Sequence, residues 1–457
     1  MSKKTSVIIL AAGKGSRMKS NRPKVLHDLG GKTILEYVIN TAQSIKPKKI
    51  IIVYHDKKTT TLSKHFNSSI EWLVQKKQEG TGQAILLASK KILDDENVLV
   101  LYGDMPFISK ASINKLKNCK KTAKISILTT KIKNPDGYGR VLRKNGKVRA
   151  IVEEFETNHQ QKKIKEVYSG IFLANNYDLK RWLKQVTNNN SKKEFYATDI
   201  IFLAYCEGNI IKTTEPMSSE EILGINNKLQ LSILENILQE KQIKQLLING
   251  VMLKDPTHFI LRGRLKYGNN VEIETGVVLE KDVFLGDNVT IGVGCIIKNS
   301  IIDSNTNIQA YTIIEDTKIG KNCIIGPFAH LRTKNILHNN VQIGNFVEIK
   351  ESIIKTKSKI KHLSYIGNSE IGSKVNIGAG SITCNYDGFK KFKTIVGDNV
   401  FIGSNTELIA PIKIADNSTI AAGTTLMKDI NEPSLVYNIK TQKHKKNWTR
   451  SNRNYQK

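Results

Sequence analysis

Residues 271–301 read VEIETGVVLEKDVFLGDNVTIGVGCIIKNSI, and one register repeats every six positions through Val271, Val277, Val283, Val289, Cys295 and Ile301. A second register, Ile273, Leu279, Leu285, Ile291 and Ile297, runs two positions behind it. A period of six fits neither a helix nor a simple half-buried strand. It fits a coil of short parallel strands in which every third strand lands above its predecessor, so that aliphatic side chains stack into a column. The count resumes at Ile313, Ile319, Ile325 and Leu331, and again at Ile402, Leu408, Ile414, Ile420 and Leu426. Gly286, Gly292, Gly320, Gly344, Gly372 and Gly403 fall near the expected corners.

The count also fails, and a break in a solenoid predicts a loop on one face, often the binding face. The main break lies between Ile349 and Ile371 and contains Lys350, Lys361, His362 and Tyr365. Arg332 stands at an earlier break over Thr333 to Asn340, and Asn376, Asn385 and Tyr386 follow within a few coils. Stacking can bring such residues together although they are remote in sequence.

A chain of 457 residues exceeds what one core usually holds, so two or more domains are expected. The apolar run near the start, Ser6 to Ala12, is too short for a secretion signal or a membrane span. A cytoplasmic protein with no membrane partner is the expectation. Cys119, Cys206, Cys295, Cys323 and Cys384 are widely spread, without zinc or disulfide spacing, and read as reduced core residues. The formal charge of +30 invites a nucleic-acid reading, but the lysines are scattered and lack aromatic interleaving. The charge instead favours small anionic substrates, with no nucleic acid as partner. Only the tail, Lys440 to Lys457, concentrates it, as a solvated end or an anion-binding arm.

Before residue 230, apolar strand-like runs alternate with amphipathic stretches, the pattern of an α/β domain with a mostly parallel, Rossmann-like sheet. Lys49 to Tyr54, Val98 to Tyr102 and Lys124 to Thr129 read as strands, and Ile34 to Ile45 and Gly82 to Leu93 as helices. Lys228 to Leu247 has helical spacing. The expected order is an α/β domain over 1–227, a helical connector over 228–249, the coil over 250–437 and a basic tail over 438–457.

The first strand, Ser6 to Leu10, runs into Ala11, Ala12, Gly13, Lys14, Gly15, Ser16, Arg17 and Met18, with Pro23 and Lys24 beyond. Small residues after a first strand let the backbone approach a ligand, and glycine-rich turns offer N–H groups to phosphates. The third glycine of a dinucleotide fingerprint and the Gly-Lys-Ser/Thr ending of a P-loop are both absent. Arg17 and Lys24 add two cations able to neutralise a triphosphate and the charge developing at an attacked phosphorus. Leu101, Tyr102, Gly103, Asp104, Met105 and Pro106 close another strand, and in an open parallel sheet Asp104 then shares the crevice of Gly13. A carboxylate there suits Mg2+ on substrate phosphates, its alternative being to cap the next helix.

Leu10 to Met18 with Pro23 and Lys24, then Gln75, Gly80-Thr81 and Tyr102-Gly103-Asp104, resemble the sugar-1-phosphate nucleotidyltransferases. Joined to the six-residue repeat, the chain resembles over nearly its full length the bacterial family of bifunctional UDP-N-acetylglucosamine pyrophosphorylases/glucosamine-1-phosphate N-acetyltransferases. The resemblance implies a nucleotidyltransferase domain followed by a left-handed parallel β-helix, forming a homotrimer with acetyltransferase sites between subunits. It implies acetylation of glucosamine-1-phosphate by acetyl-CoA, then transfer of UMP from UTP to the product, for peptidoglycan and lipopolysaccharide precursors.

Residue by residue, it implies that Leu10, Ala11, Ala12, Gly13, Lys24, Gln75, Gly80, Thr81, Tyr102 and Gly103 hold the uridine nucleotide, and that Asp104 and Asn226 bind Mg2+. Gly139 and Glu153 would contact the sugar, with Tyr168 where the family usually has Asn, and Phe155 replaces a common lysine. Arg17 and Lys24 would assist departure of pyrophosphate. In the second half, His362 would be the base that frees the amine for attack on the thioester. Arg332, Lys350, Tyr365 and Asn376 would bind the sugar phosphate, with Asn385 and Tyr386 reaching it or acetyl-CoA. Glu348 would orient the amine. Ala379, Ser404 and Ala422 would line the acetyl-CoA groove, and Lys440 would replace the family's late arginine, keeping its charge without its fork.

Two other readings compete. The coil could serve only oligomerisation or regulation beside a lone nucleotidyltransferase, but a structural coil needs no set such as Arg332, Lys350, His362, Tyr365 and Asn385. A non-enzymatic binding subunit related to initiation factors has no use for Lys24, Asp104 and Asn226.

Overall fold

The computed structural model describes residues 4–66 and 70–448, and the chain divides into two compact units between Leu238 and Gln239, within the helix Lys228–Ile248. In the first unit the strand Thr5–Ala11 pairs in parallel with Ile50–Tyr54 on one side and Asn97–Tyr102 on the other. Ile70–Val74 extends the sheet beyond Ile50–Tyr54. Glu166–Asn175 runs antiparallel between Asn97–Tyr102 and Ile125–Lys131, and Ile211–Thr214 closes that edge. Val7, Ile8 and Ile9 are all fully buried, because Val7 and Ile9 enter the core on one face and Ile8 the core on the other. An uninterrupted apolar strand is what a sheet covered on both faces requires.

The predicted strands and the helices near residues 34 and 228 are present with small shifts at their ends. The helix predicted over Gly82 to Leu93 runs over Thr81–Ser89. Buried Asn176 explains the early stop: its Nδ2 donates to the carbonyls of Ser89, Ile92 and Leu93 at 3.0, 2.7 and 3.2 Å, satisfying groups that a helix end leaves open. A hairpin of Gly139–Lys144 and Lys147–Val152 joins the sheet through Glu166–Asn175.

The second unit is a left-handed parallel β-helix whose short strands stack in three columns. Glu272 pairs with Thr290, eighteen positions on, while Ile296 pairs with Ile313, seventeen on. That missing residue corrects the six-residue count. Ile301 and Ile313 are 43% and 36% exposed, and Ile302 and Ile314 take the interior places with no exposure. The expected glycines are needed for contact between turns: a Cβ on Gly286 would lie 2.6 Å from the amide nitrogen of Ser304.

The two predicted breaks are not loops. Glu348 pairs with Tyr365 and Lys359 with Asn376, seventeen positions apart, so Ile349 to Ile371 stays within the wall and its turns are merely one residue short. Lys318 pairs with Ile336 across the start of the earlier stretch in the same way as its neighbours. The excursion lies later, where Asn376 pairs with Phe401, twenty-five positions on. It carries Asn385 and Tyr386, and a Tyr386–Lys391 bridge closes it.

All five cysteines are free, but only Cys295 and Cys323 are core residues; Cys206 is exposed and Cys119 and Cys384 are half-buried, which corrects the uniform core reading. Burial pushes the Cys295 and Cys323 thiols up to about 11. Of the basic tail, residues 438–448 are described and exposed, and 449–457 lie outside the described residues.

Candidate active sites

A cavity of about 390 Å3 opens at the C-terminal ends of Thr5–Ala11 and Asn97–Tyr102. Leu10, Ala11, Ala12, Gly13, Arg17, Lys24, Gln75, Gly80, Thr81, Tyr102, Asp104 and Asn226 all line it. Gly103 is absent from the lining and acts behind it, where its N–H donates to the Leu10 carbonyl at 2.9 Å and draws the two strand ends together. Gly80 has a φ of +111°, and a Cβ there would lie 2.6 Å from the Phe195 carbonyl oxygen, so only glycine lets the helix Thr81–Ser89 begin at the cavity wall. In its first turn the Gly82 N–H already donates to the Phe195 carbonyl at 2.8 Å.

At the mouth Lys24 Nζ donates to Asp104 Oδ2 at 2.5 Å and to Asn226 Oδ1 at 3.2 Å, and Arg17 Nη2 donates to the same Asn226 oxygen at 3.1 Å. Asn226 is held by the bond from its N–H to Gln230 Oε1 at 2.7 Å, and Ile225 N–H donates to the Asp104 carbonyl at 3.0 Å. Two hard oxygens therefore converge on a cation, as a divalent ion would require. Among the described residues no group of three or more His, Cys, Asp or Glu is placed to hold a metal ion.

Gly139, Glu153 and Tyr168 do not line this cavity. Glu153 borders a second one of about 230 Å3 with Tyr196 and Thr198, and Thr198 Oγ1 donates to Glu153 Oε1 at 3.0 Å. Burial raises the Glu153 carboxyl above its ordinary value. Tyr168 pairs with Gly139 on the neighbouring strand, and its hydroxyl donates to the Gly170 carbonyl at 2.7 Å. Burial pushes that phenol, and the Tyr102 phenol, well up. The exposed ring of Phe155 lies under the Lys192 ammonium at 3.9 Å. Sequence reading missed Lys14, Gln78 and Glu194 in the first cavity. Lys14 lies inside the quoted loop, whereas Glu194 has no local motif to mark it.

In the second unit, Asn345, His362, Ala379, Ser404 and Ala422 each precede a residue with left-handed φ: Phe346, Leu363, Gly380, Asn405 and Gly423. Backbone bonds from Leu363 to Asn345 at 3.1 Å, Asn405 to Ala379 at 2.8 Å and Gly423 to Ser404 at 2.8 Å stack these turns along one corner. His362 thus stands in line with the small residues Ala379, Ser404 and Ala422 at that corner. Its Nδ1 is 3.1 Å from Asn345 Oδ1, a partner that sequence reading missed. Lys440 Nζ donates to the Gly423 carbonyl at 2.5 Å, bringing its charge to the same corner.

Arg332 Nη1 is 2.8 Å from Glu348 Oε1, and Glu348 pairs in register with Tyr365. Tyr365 Oη and Asn385 Nδ2 converge over Gly367, where a Cβ would collide with both. Asn385 donates to Asn368 Oδ1 at 2.7 Å. Lys391, from the excursion, lies beside Lys350 and lowers its pKa, with Arg332 adding to the effect. This crowding of cations asks for an anion. Asn376 stands one turn beyond Lys359 on the strand column of His362, and Tyr386 turns its hydroxyl to the Gly388 carbonyl at 2.6 Å.

Residues 7–174 match the MobA-like NTP transferase domain, 261–343 the GMPPB C-terminal domain, and 393–428 the hexapeptide repeat of succinyl-transferase. The bifunctional protein GlmU of Buchnera aphidicola subsp. Acyrthosiphon pisum (strain Tuc7) is 68% identical over 97% of both chains. That of Buchnera aphidicola subsp. Schizaphis graminum (strain Sg) is 64% identical over 98% of both. A solved UDP-glucose pyrophosphorylase complexed with UDP-glucose is 16% identical, covers 52% of this chain and 99% of its own, and has a TM-score of 0.45. The likeness to the bifunctional proteins runs through both units and both candidate sites, and the chain belongs to the bifunctional GlmU family.

Proposed function

We propose that the first unit transfers UMP from UTP to N-acetylglucosamine-1-phosphate and that the second first acetylates glucosamine-1-phosphate with acetyl-CoA, giving UDP-N-acetylglucosamine and pyrophosphate overall. The carrying observation is the convergence of Lys24, Arg17, Asp104 and Asn226 on one cavity mouth. The sugar phosphate is already ionised at neutral pH, so its oxygen attacks the α-phosphorus without a protein nucleophile. Arg17 and Lys24 then neutralise the phosphates and orient the departing pyrophosphate, and catalysis is positioning plus charge. Mg2+, when held by Asp104 and Asn226, supplies further neutralisation of the phosphate oxygens.

In the second unit His362 takes the proton that keeps the sugar amine from attacking, and Asn345 orients the ring. Arg332, Lys350, Tyr365 and Asn385 hold the sugar phosphate, while the Ala379, Ser404 and Ala422 corner receives acetyl-CoA. Incubation with glucosamine-1-phosphate, acetyl-CoA, UTP and Mg2+, following free thiol and pyrophosphate separately, tests both halves. Pyrophosphate from N-acetylglucosamine-1-phosphate without any thiol release would leave the nucleotidyltransferase alone.

A homotrimer and a cytoplasmic location complete the proposal. Exposed rings of Tyr311, Phe328 and Phe346 stack at 5.3 and 5.5 Å along one corner, an apolar ladder that supports self-association. Light scattering reads the mass directly. Free cysteines support a reducing compartment, and among the described residues no helix is long and apolar enough to cross a membrane.

A further inference from the structure

Arg140 has no solvent exposure and follows Gly139 directly on the strand Gly139–Lys144. Its Nη1 donates to Glu154 Oε2 at 2.6 Å and also to the Tyr138 carbonyl. Glu154 follows Glu153, and Arg140 pairs in register with Val152 on the returning strand. One guanidinium therefore ties together the segments that carry Gly139 and Glu153. Its other side is incomplete. Nε and Nη2 are buried without a hydrogen-bond partner, a costly condition for a charged donor removed from water. Nη2 lies 4.0 Å from Asp136 Oδ1, beyond hydrogen-bond reach, and the Asp136 side chain is 77% exposed. A shift of about 1 Å would turn this loose ion pair into a charge-assisted hydrogen bond.

We propose, on the basis of uridylyl transfer by this unit, that Arg140 is a positioning residue for the sugar phosphate and that Asp136 is the counter-charge its loop brings over Nη2 when the sugar binds. Giving Nη2 of Arg140 a partner fixes Gly139 and Glu153 together, and a sugar held by those residues favours the same closed arrangement. Sugar binding and loop closure therefore reinforce each other. UTP, held at the other cavity by the glycine-rich loop, is not party to this coupling.

The test is pyrophosphate release by the full chain, with UTP and N-acetylglucosamine-1-phosphate varied separately, in Asp136→Asn, Glu154→Gln and Arg140→Lys. Asp136→Asn alters an exposed side chain and is expected to melt like the unaltered protein. Its KM for the sugar phosphate should rise roughly three- to tenfold while its KM for UTP stays within about twofold. Arg140→Lys keeps the charge but loses the fork that spans Glu154 and Asp136, so it should raise the same KM at least as much. Should the two variants at the buried pair fail to fold, Asp136→Asn alone decides. Unchanged KM values in Asp136→Asn, or equal rises in both, would overturn the proposal and leave Arg140 a structural residue. No pyrophosphate from the unaltered chain would instead overturn the uridylyl-transfer reading itself, and it is seen before any substitution is made.

Discussion

His362 Nδ1 lies 3.1 Å from Asn345 Oδ1, one turn of the coil earlier, so the candidate base is oriented by a residue seventeen positions away. His362→Ala should abolish thiol release and spare pyrophosphate formation from supplied N-acetylglucosamine-1-phosphate. Asn345→Ala should slow thiol release roughly two- to tenfold, the worth of one modest hydrogen bond. Loss of both activities in a folded His362 variant would refute the separation of sites.

Asp104→Ala removes the carboxylate that meets Lys24 and that is proposed to hold Mg2+. Pyrophosphate release should fall about 10²- to 10³-fold, as when one preorganised electrostatic group is lost, with acetyl transfer unchanged. Separate thiol and pyrophosphate assays on the same preparation check this.

Burial holds the Glu153 carboxyl above the ordinary value of 4.5, so the folded chain binds its proton more tightly than the unfolded chain does. Its contribution is most favourable below the unfolded value and is lost as pH rises through the folded one. Glu153→Gln, neutral throughout, should therefore gain stability relative to the unaltered protein as pH rises through that window. Denaturant titrations of the first unit's transition at several pH values measure the difference; a gap that does not change with pH would rule it out.

Ile302 is interior and Ile301 is 43% exposed. Ile302→Asn should destabilise the coil by about 2–5 kcal/mol, since it loses a core side chain and buries an amide, whereas Ile301→Asn should cost about 0.5 kcal/mol. A larger shift in the coil's unfolding midpoint for Ile301→Asn than for Ile302→Asn would restore the uncorrected six-residue register.

Lys440 brings its ammonium to the Ala422–Gly423 corner. Lys440→Ala should raise the dissociation constant of acetyl-CoA roughly two- to fivefold, and added salt should narrow the difference. A calorimetric titration that finds the constant unchanged would remove Lys440 from the groove.

The nucleotide cavity is legible in the sequence because its residues sit in short motifs at strand ends: Leu10 to Gly13, Gly80-Thr81 and Asp104 each carry their position in the local pattern. Asn345 and Glu194 carry no such mark, because only stacking or packing brings them to a site. The stretch around His362 reads as a break for a simpler reason. A lost residue and an inserted loop both disturb a count of six, and only strand register separates them.

The sequence by itself determined that an α/β unit precedes a coil of parallel strands, because apolar period is a direct consequence of which side chains must leave water. Tertiary structure decided which residues of that coil are interior, where its long excursion leaves the wall, and that Asn345 meets His362. Those outcomes depend on turns of seventeen or eighteen residues stacking in register, and a hydrogen bond between turns has no counterpart in the local pattern of either strand.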